Sequence, residues 1–131
     1  MSERIIVFNH SPNHLLLYKT ILNAHGYEVF TYQQDMADFR EVEAIQPRLI
    51  ILGNVTGTYD DELDIVGEIR AHAQTHETPI LIVTTAATHM LNYERIRAFG
   101  NIYTMTKPFD ALQLLLAVKQ ALGSSEDVTS H

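Results

Sequence analysis

Four short segments of this 131-residue chain bring together the side chains best suited to handling a charged ligand. They are Asn9-His10, Gly53-Asn54, Thr84-Thr85 and Lys107. Lys107 supplies a cation, the two threonines supply hydroxyls, and Asn9, His10 and Asn54 supply an imidazole and two amides. No carboxylate stands among them, so the set is neutral to slightly positive and suits an anion held by a lysine, hydroxyls and backbone N–H groups.

Other clusters have simpler readings. His72 and His76 lie four apart and share a helix face, but no third ligand is placed with them, so they read as surface residues near a helix end. Asp60-Asp61-Glu62 precedes a helical stretch, where acids complement the positive end of the helix dipole. A lone His10 at a strand end reads as a hydrogen-bonded loop residue.

The elements that must position these residues follow from periodicity. Short aliphatic runs alternate with segments of helical period, which is the signature of parallel strands joined by crossover helices. The expected order is β1 at Arg4 to Phe8, α1 from Pro12 to His25, β2 at Tyr27 to Tyr32 and α2 from Gln34 to Ile45. It continues with β3 at Arg48 to Leu52, α3 up to about Gln74, and β4 at Ile80 to Val83. Last come α4 over His89 to Phe99, β5 at Ile102 to Met105 and α5 from Asp110. Strand β3 lacks polar alternation and is expected to be central, covered on both faces. Pro12 opens α1, Gly26 and Gly100 stop α1 and α4, and Asp110 caps α5. In α1, Leu17, Tyr18, Ile21 and Leu22 are expected on one inward face. In α5, Leu114, Leu115, Val118 and Leu122 are expected inward, while Leu112 and Leu116 widen the apolar stripe beyond what one buried face requires.

The composition narrows the function. An apolar content of 46% in 131 residues supports one domain, expected over 1–122, with 123–131 a polar tail or linker. A net charge of −7 argues against nucleic acid, and the absence of cysteine excludes disulfides and thiolate chemistry. The N-terminal residues have no signal-peptide h-region and no stretch reaches membrane length, so a cytoplasmic protein is expected.

In an open parallel sheet, ligands sit beyond the carboxyl ends of the central strands. Those ends are Asn9-His10, Gly53-Asn54, Thr84-Thr85 and Thr106-Lys107. Together with the Pro47 to Leu52 and Pro79 to Thr84 strands and Lys107-Pro108-Phe109, this arrangement resembles the receiver domains of response regulators, up to about Leu122. The resemblance implies a doubly wound, CheY-like (flavodoxin-like) α/β fold, with a five-stranded parallel sheet of order 2-1-3-4-5 and five helices. It also implies which positions matter. Two acids after β1 fall on Asn9 and His10, and the phosphoacceptor aspartate falls on Gly53 or Asn54, depending on where the count begins. The hydroxyl falls on Thr84 or Thr85, and the lysine on Lys107. The aromatic switch position falls on Thr104, with Tyr103 one place earlier.

Magnesium needs hard oxygen ligands, usually carboxylates, and phosphoryl transfer needs a carboxylate acceptor with a cation beside it. Both are missing here, so the expectation is a pseudo-receiver: no enzyme, no cofactor and Mg²⁺ binding lost. Lys107 would then turn to water, to Asp60 or Asp61, or to an anion. The expected role is phosphorylation-independent contact in bacterial signal transduction, with a signalling protein or the chain's own output domain as partner. The resemblance places a dimer or partner face on α4-β5-α5, where Leu112 and Leu116 lie. The alternative is a small-ligand or anion sensor built on the remodelled strand-end pocket. A flavin carrier of the same topology is disfavoured, because His10-Ser11-Pro12-Asn13 lacks a glycine-rich phosphate cradle.

Overall fold

The structure is a computed structural model that describes residues 3–9, 11–33, 39–53, 59–84, 94–107 and 109–126, the side chains of 59–63 and 124–126 excepted. The strands are β1 (Arg4–Phe8), β2 (Glu28–Tyr32), β3 (Leu49–Gly53), β4 (Ile80–Thr84) and β5 (Ile102–Thr106). The helices are α1 (Pro12–Ala24), α2 (Phe39–Ile45), α3 (Tyr59–Ala71), a helical turn α4 at 94–97, and α5 (Ala111–Glu126). All strand pairs are parallel, in the order β2-β1-β3-β4-β5.

Every residue of β3 and β4 is buried, which is why these runs carry no polar alternation. Their side chains divide by the strand's period of two. Ile5, Val7, Leu49, Ile51, Leu81 and Val83 join Leu15, Tyr18 and Leu22 of α1 and Leu114, Val118 and Leu122 of α5 in one cluster. Ile6, Phe8, Ile50, Leu52, Ile80 and Ile82 join Val42, Val66, Ile69 and Ile96 in the other. A central sheet with α1 and α5 on one face and α2, α3 and α4 on the other follows directly from that alternation.

The helix boundaries have local causes. Ser11 caps α1, its Oγ accepting from the His14 N–H at 3.3 Å, and Pro12 fills the first turn, where no N–H partner is needed. Gly26 (φ +93°) and Gly100 (φ +84°) adopt the left-handed conformation that ends a helix at low cost only for glycine. Asp110 caps α5 as expected: its Oδ1 accepts from the Gln113 N–H at 2.8 Å, while Gln113 Oε1 accepts from the Asp110 N–H at 2.8 Å.

Arg70, at the end of α3, fastens the edge of the sheet farthest from the strand carboxyl ends. Its guanidinium donates to the carbonyls of Thr75 (3.1 Å), Gly100 (3.0 Å) and Asn101 (3.4 Å). Burial lowers the Arg70 pKa below its ordinary value. His72 stacks on Phe39 with centroids 4.9 Å apart and lies 3.1 Å from Glu68 Oε2 and 3.6 Å from Glu43 Oε1, so it ties α3 to α2. His76 turns to the Ala73 carbonyl and to Glu77, away from any shared site with His72.

Several expected boundaries shift. Helix α3 ends at Ala71, giving way to turns through Glu77 before the expected end at Gln74. Strand β3 extends through Gly53, because its pairing with Val83 continues the ladder. Helix α5 continues past Leu122 and Gly123 to Glu126; a glycine in a last turn costs only about 1 kcal/mol relative to alanine, too little to stop it. Residues 127–131 of the expected tail, 34–38 of the expected α2 and 89–93 of the expected α4 lie outside the described residues. Leu17 is 47% exposed, whereas Leu15, Tyr18 and Leu22 form the buried stripe of α1. That stripe follows the i, i+3, i+7 spacing, and Leu17 falls beside it.

Candidate functional site

Strands β1 and β3 end side by side, with Phe8 paired to Leu52, so the next residues, Asn9 and Gly53, face each other at the carboxyl edge. Asn9 is fully buried. Its backbone N–H donates to the Tyr32 carbonyl at 3.1 Å, and its Oδ1 accepts from the Ser11 N–H at 2.9 Å. The Ser11 bond fixes the amide orientation, because an N–H must meet an oxygen. Nδ2 is thereby turned toward Gly53, and it is buried with no hydrogen-bond partner among the described residues.

Gly53 is the second wall. A Cβ added there would lie 3.1 Å from Asn9 Nδ2, 3.2 Å from the Tyr18 hydroxyl and 3.7 Å from Val83 Cβ. The first two distances are tighter than ordinary van der Waals contact. Gly53, one of the two residues left open for the acceptor position, faces Asn9; the other, Asn54, lies outside the described residues, as do His10 and Thr85.

Tyr18 is the residue that the sequence did not single out for this site. Periodicity placed it in the core stripe, which is true of its ring, but the hydroxyl at the ring's tip reaches the strand ends. Burial raises the phenol's pKa well above its ordinary value, so it remains a protonated hydroxyl at neutral pH. The ring lies against Phe109 with centroids 5.9 Å apart and an interplanar angle of 29°. Together with His14, Leu17 and Lys107, these two rings line a half-open cleft of about 250 Å³.

Thr84 ends β4, is buried, and pairs with Thr106 of β5. Its carbonyl accepts from the Lys107 N–H at 2.9 Å, which ties the half-buried Lys107 to the same edge. The side chains of Asp60 and Asp61, considered as partners for Lys107, are not among those described. Thr104 is exposed on β5, while Tyr103 is partly buried against the α1 and α5 cluster, so the two occupy opposite faces of the strand. Leu112 and Leu116 are 64% and 57% exposed on one side of α5.

No protein-family model and no curated protein matches the chain. Solved structures do. The chemotaxis response regulator CheY4 of Vibrio cholerae superposes with a TM-score of 0.79 at 22% identity, covering 93% of this chain and all of CheY4. The fold is that of a CheY-like response regulator receiver domain. NtrX from Brucella abortus matches with a TM-score of 0.79 at 25% identity over 99% of this chain and 29% of NtrX. The receiver domain of the sensor histidine kinase PA1611 from Pseudomonas aeruginosa matches with a TM-score of 0.76 at 21% identity, covering 94% and 99% of the two chains. That structure holds a magnesium ion coordinated in its active-site cleft.

Asn9 offers its neighbour Gly53 the N–H side of its amide, a donor that repels a cation, and Gly53 has no side chain to offer. Among the described residues, no group of three or more His, Asp or Glu is placed to hold a metal ion. No helix among them is long and apolar enough to cross a membrane.

Proposed function

We propose that this receiver-type domain serves signal transduction by being bound, without phosphoryl chemistry, metal or catalysis of its own. The observation that carries the reading is the closure of the β1 and β3 ends. Gly53, one of the two positions on which the receiver resemblance places a carboxylate acceptor, stands with the Asn9 amide and the Tyr18 hydroxyl packed toward it; the other, Asn54, is an amide and no carboxylate either. An aspartyl phosphate needs a carboxylate oxygen to attack phosphorus and a cation to offset the developing charge. Neither Asn9 nor Gly53 supplies a carboxylate. The exposed threonine at the switch position, Thr104, gives a phosphorylation signal no aromatic side chain to move.

The chain spans 29% of NtrX and all of CheY4, so both a freestanding domain and a module joined to an output domain fit its size. The proposed partner is a signalling protein or such an output domain, in the cytoplasm, contacted through Leu112 and Leu116 on α5. Incubation with acetyl phosphate and Mg²⁺ followed by intact-mass measurement tests the chemical half of the reading. Unchanged mass is the expected result, and an added phosphoryl group would overturn it.

A further inference from the structure

Strand β2 ends the sheet, with β1 on one side and, among the described residues, no strand on the other. Within its parallel ladder the Glu28 N–H donates to the Glu3 carbonyl at 2.9 Å, and the Tyr32 carbonyl accepts from the Asn9 N–H at 3.1 Å. Glu28, Phe30 and Tyr32 are thus the residues whose backbone groups turn toward β1. Val29 and Thr31 direct their N–H and C=O groups outward, an open edge of the kind that folds usually shield with lysine or proline. The strand Glu28–Tyr32 holds neither. Beside this edge runs a groove of about 500 Å³ between α1 and β2, whose lining includes Pro12, Leu15, Leu16 and Thr31. Leu16 stands 63% exposed in it.

We infer that two copies of the chain join along this edge, β2 against β2, antiparallel about a two-fold axis at Phe30. The register follows from where the outward groups stand. With Phe30 of one copy opposite Phe30 of the other, Val29 of each faces Thr31 of its partner, and every outward N–H and C=O of these residues gains a hydrogen bond. A slip by one residue would set them against residues already bonded to β1. The packing agrees. Helix α1 covers β1 and β2, its Leu15, Tyr18 and Leu22 clustering with Ile5, Val7 and Val29. With strands about 4.8 Å apart, the two α1 helices come about 10 Å apart over the junction, an ordinary helix spacing, and each Leu16 is covered by the other copy. Charge does not oppose the contact on the strand itself. Glu28, the only charged residue of β2, is paired with Arg4 at 3.5 Å within its own copy and falls opposite Tyr32, so no acid meets its twin. The patch is complementary to itself, as a two-fold interface requires. This reading does not depend on the α5 contact proposed above: α5 packs on β3, β4 and β5, which leaves Leu112 and Leu116 outside the junction.

The test is sedimentation velocity of the full chain over a concentration series reaching the millimolar range, where a reversible monomer–dimer equilibrium is expected. Thr31→Pro removes an outward N–H and breaks no bond to β1, so it is expected to keep the fold and abolish the dimer. Leu16→Glu places a charge in the junction and is expected to weaken the dimer about tenfold or more. The chain has no cysteine, so single cysteines report the register. Directly opposed residues of a non-hydrogen-bonded antiparallel pair stand about 4.5 Å apart at Cα, within disulfide reach. Phe30→Cys is therefore expected to form a covalent dimer on mild oxidation, and Glu28→Cys, opposite Tyr32, is not. A chain that stays monomeric throughout the series would overturn the inference. So would a dimer of full strength in Thr31→Pro or in Leu16→Glu, a dimer lost instead on Leu112→Glu with Leu116→Glu, or cross-linking of Glu28→Cys as readily as Phe30→Cys. Because Leu16 is exposed, Leu16→Glu keeps the test decisive should a strand variant fail to fold.

Discussion

The Tyr18 hydroxyl stands 3.2 Å from the position that a Cβ on Gly53 would take, so the residue at 53 and the residue at 18 are sterically coupled across two elements. Gly53→Ala is expected to destabilise the domain by roughly 1–3 kcal/mol through overpacking. Combining it with Tyr18→Phe should return part of that loss, because one of the two tight contacts disappears while Asn9 Nδ2, at 3.1 Å, remains. Urea denaturation of the four proteins in the cycle measures the coupling, and strictly additive losses would refute it.

Gly53→Asp adds a carboxylate without adding a second acid beside it. Asn9 stays neutral and still presents an amide donor, so no acidic pair forms to hold Mg²⁺. The variant is expected to gain no phosphoryl mass from acetyl phosphate and to be less stable than the parent chain.

Tyr18 and Tyr32 predict a loss of stability in alkali. Burial raises both phenols, and Glu41, 3.3 Å from the Tyr32 hydroxyl, raises Tyr32 further. Above the ordinary tyrosine pKa of about 10, the unfolded chain releases protons that the folded chain retains, so stability falls as pH rises. The contribution is complete below that pH and disappears as the folded phenols ionise. Tyrosinate absorbance should show the Tyr18 signal appearing late, together with unfolding, and Tyr18→Phe should remove that late phase. A Tyr18 that titrates with the exposed tyrosines would contradict its burial.

Arg70 joins α3 to the turn at Thr75 and to the start of β5 with a single fork of N–H groups. Arg70→Ala is expected to cost about 1–2 kcal/mol, allowing for its half-exposed surroundings. Arg70→Lys should recover little of it, since an ammonium cannot reach three carbonyls in that geometry. Thermal denaturation distinguishes the two variants, and equal melting temperatures for Arg70→Lys and the parent would show that the fork is dispensable.

Leu112→Glu and Leu116→Glu alter exposed side chains and should leave stability within about 0.5 kcal/mol. Used as bait against the partner of the parent chain, the double variant should lose that partner. Retained binding would remove this side of α5 from consideration.

The sheet was legible because β3 and β4 are buried on both faces, and only uninterrupted aliphatic runs satisfy that environment. The cap at Asp110 was legible because a short carboxylate ahead of an apolar run has one favourable use there. The role of Tyr18 was not: helical periodicity reports where a ring is buried and says nothing of where its tip ends. Nor could spacing alone show that Asn9 turns its donor inward, because that orientation depends on the Ser11 N–H claiming the oxygen. Leu17 misled for a related reason, since four adjacent apolar residues in α1 leave the position of the buried stripe uncertain by a third of a turn.

The contact between Tyr18 and Gly53 also bears on how such a chain can change over generations. Any side chain gained at position 53 arrives beneath a tyrosine hydroxyl only 3.2 Å from where its Cβ would stand, so a change at 53 is expected to be tolerated best after residue 18 has become smaller. The order in which two substitutions occur is thereby constrained by packing alone.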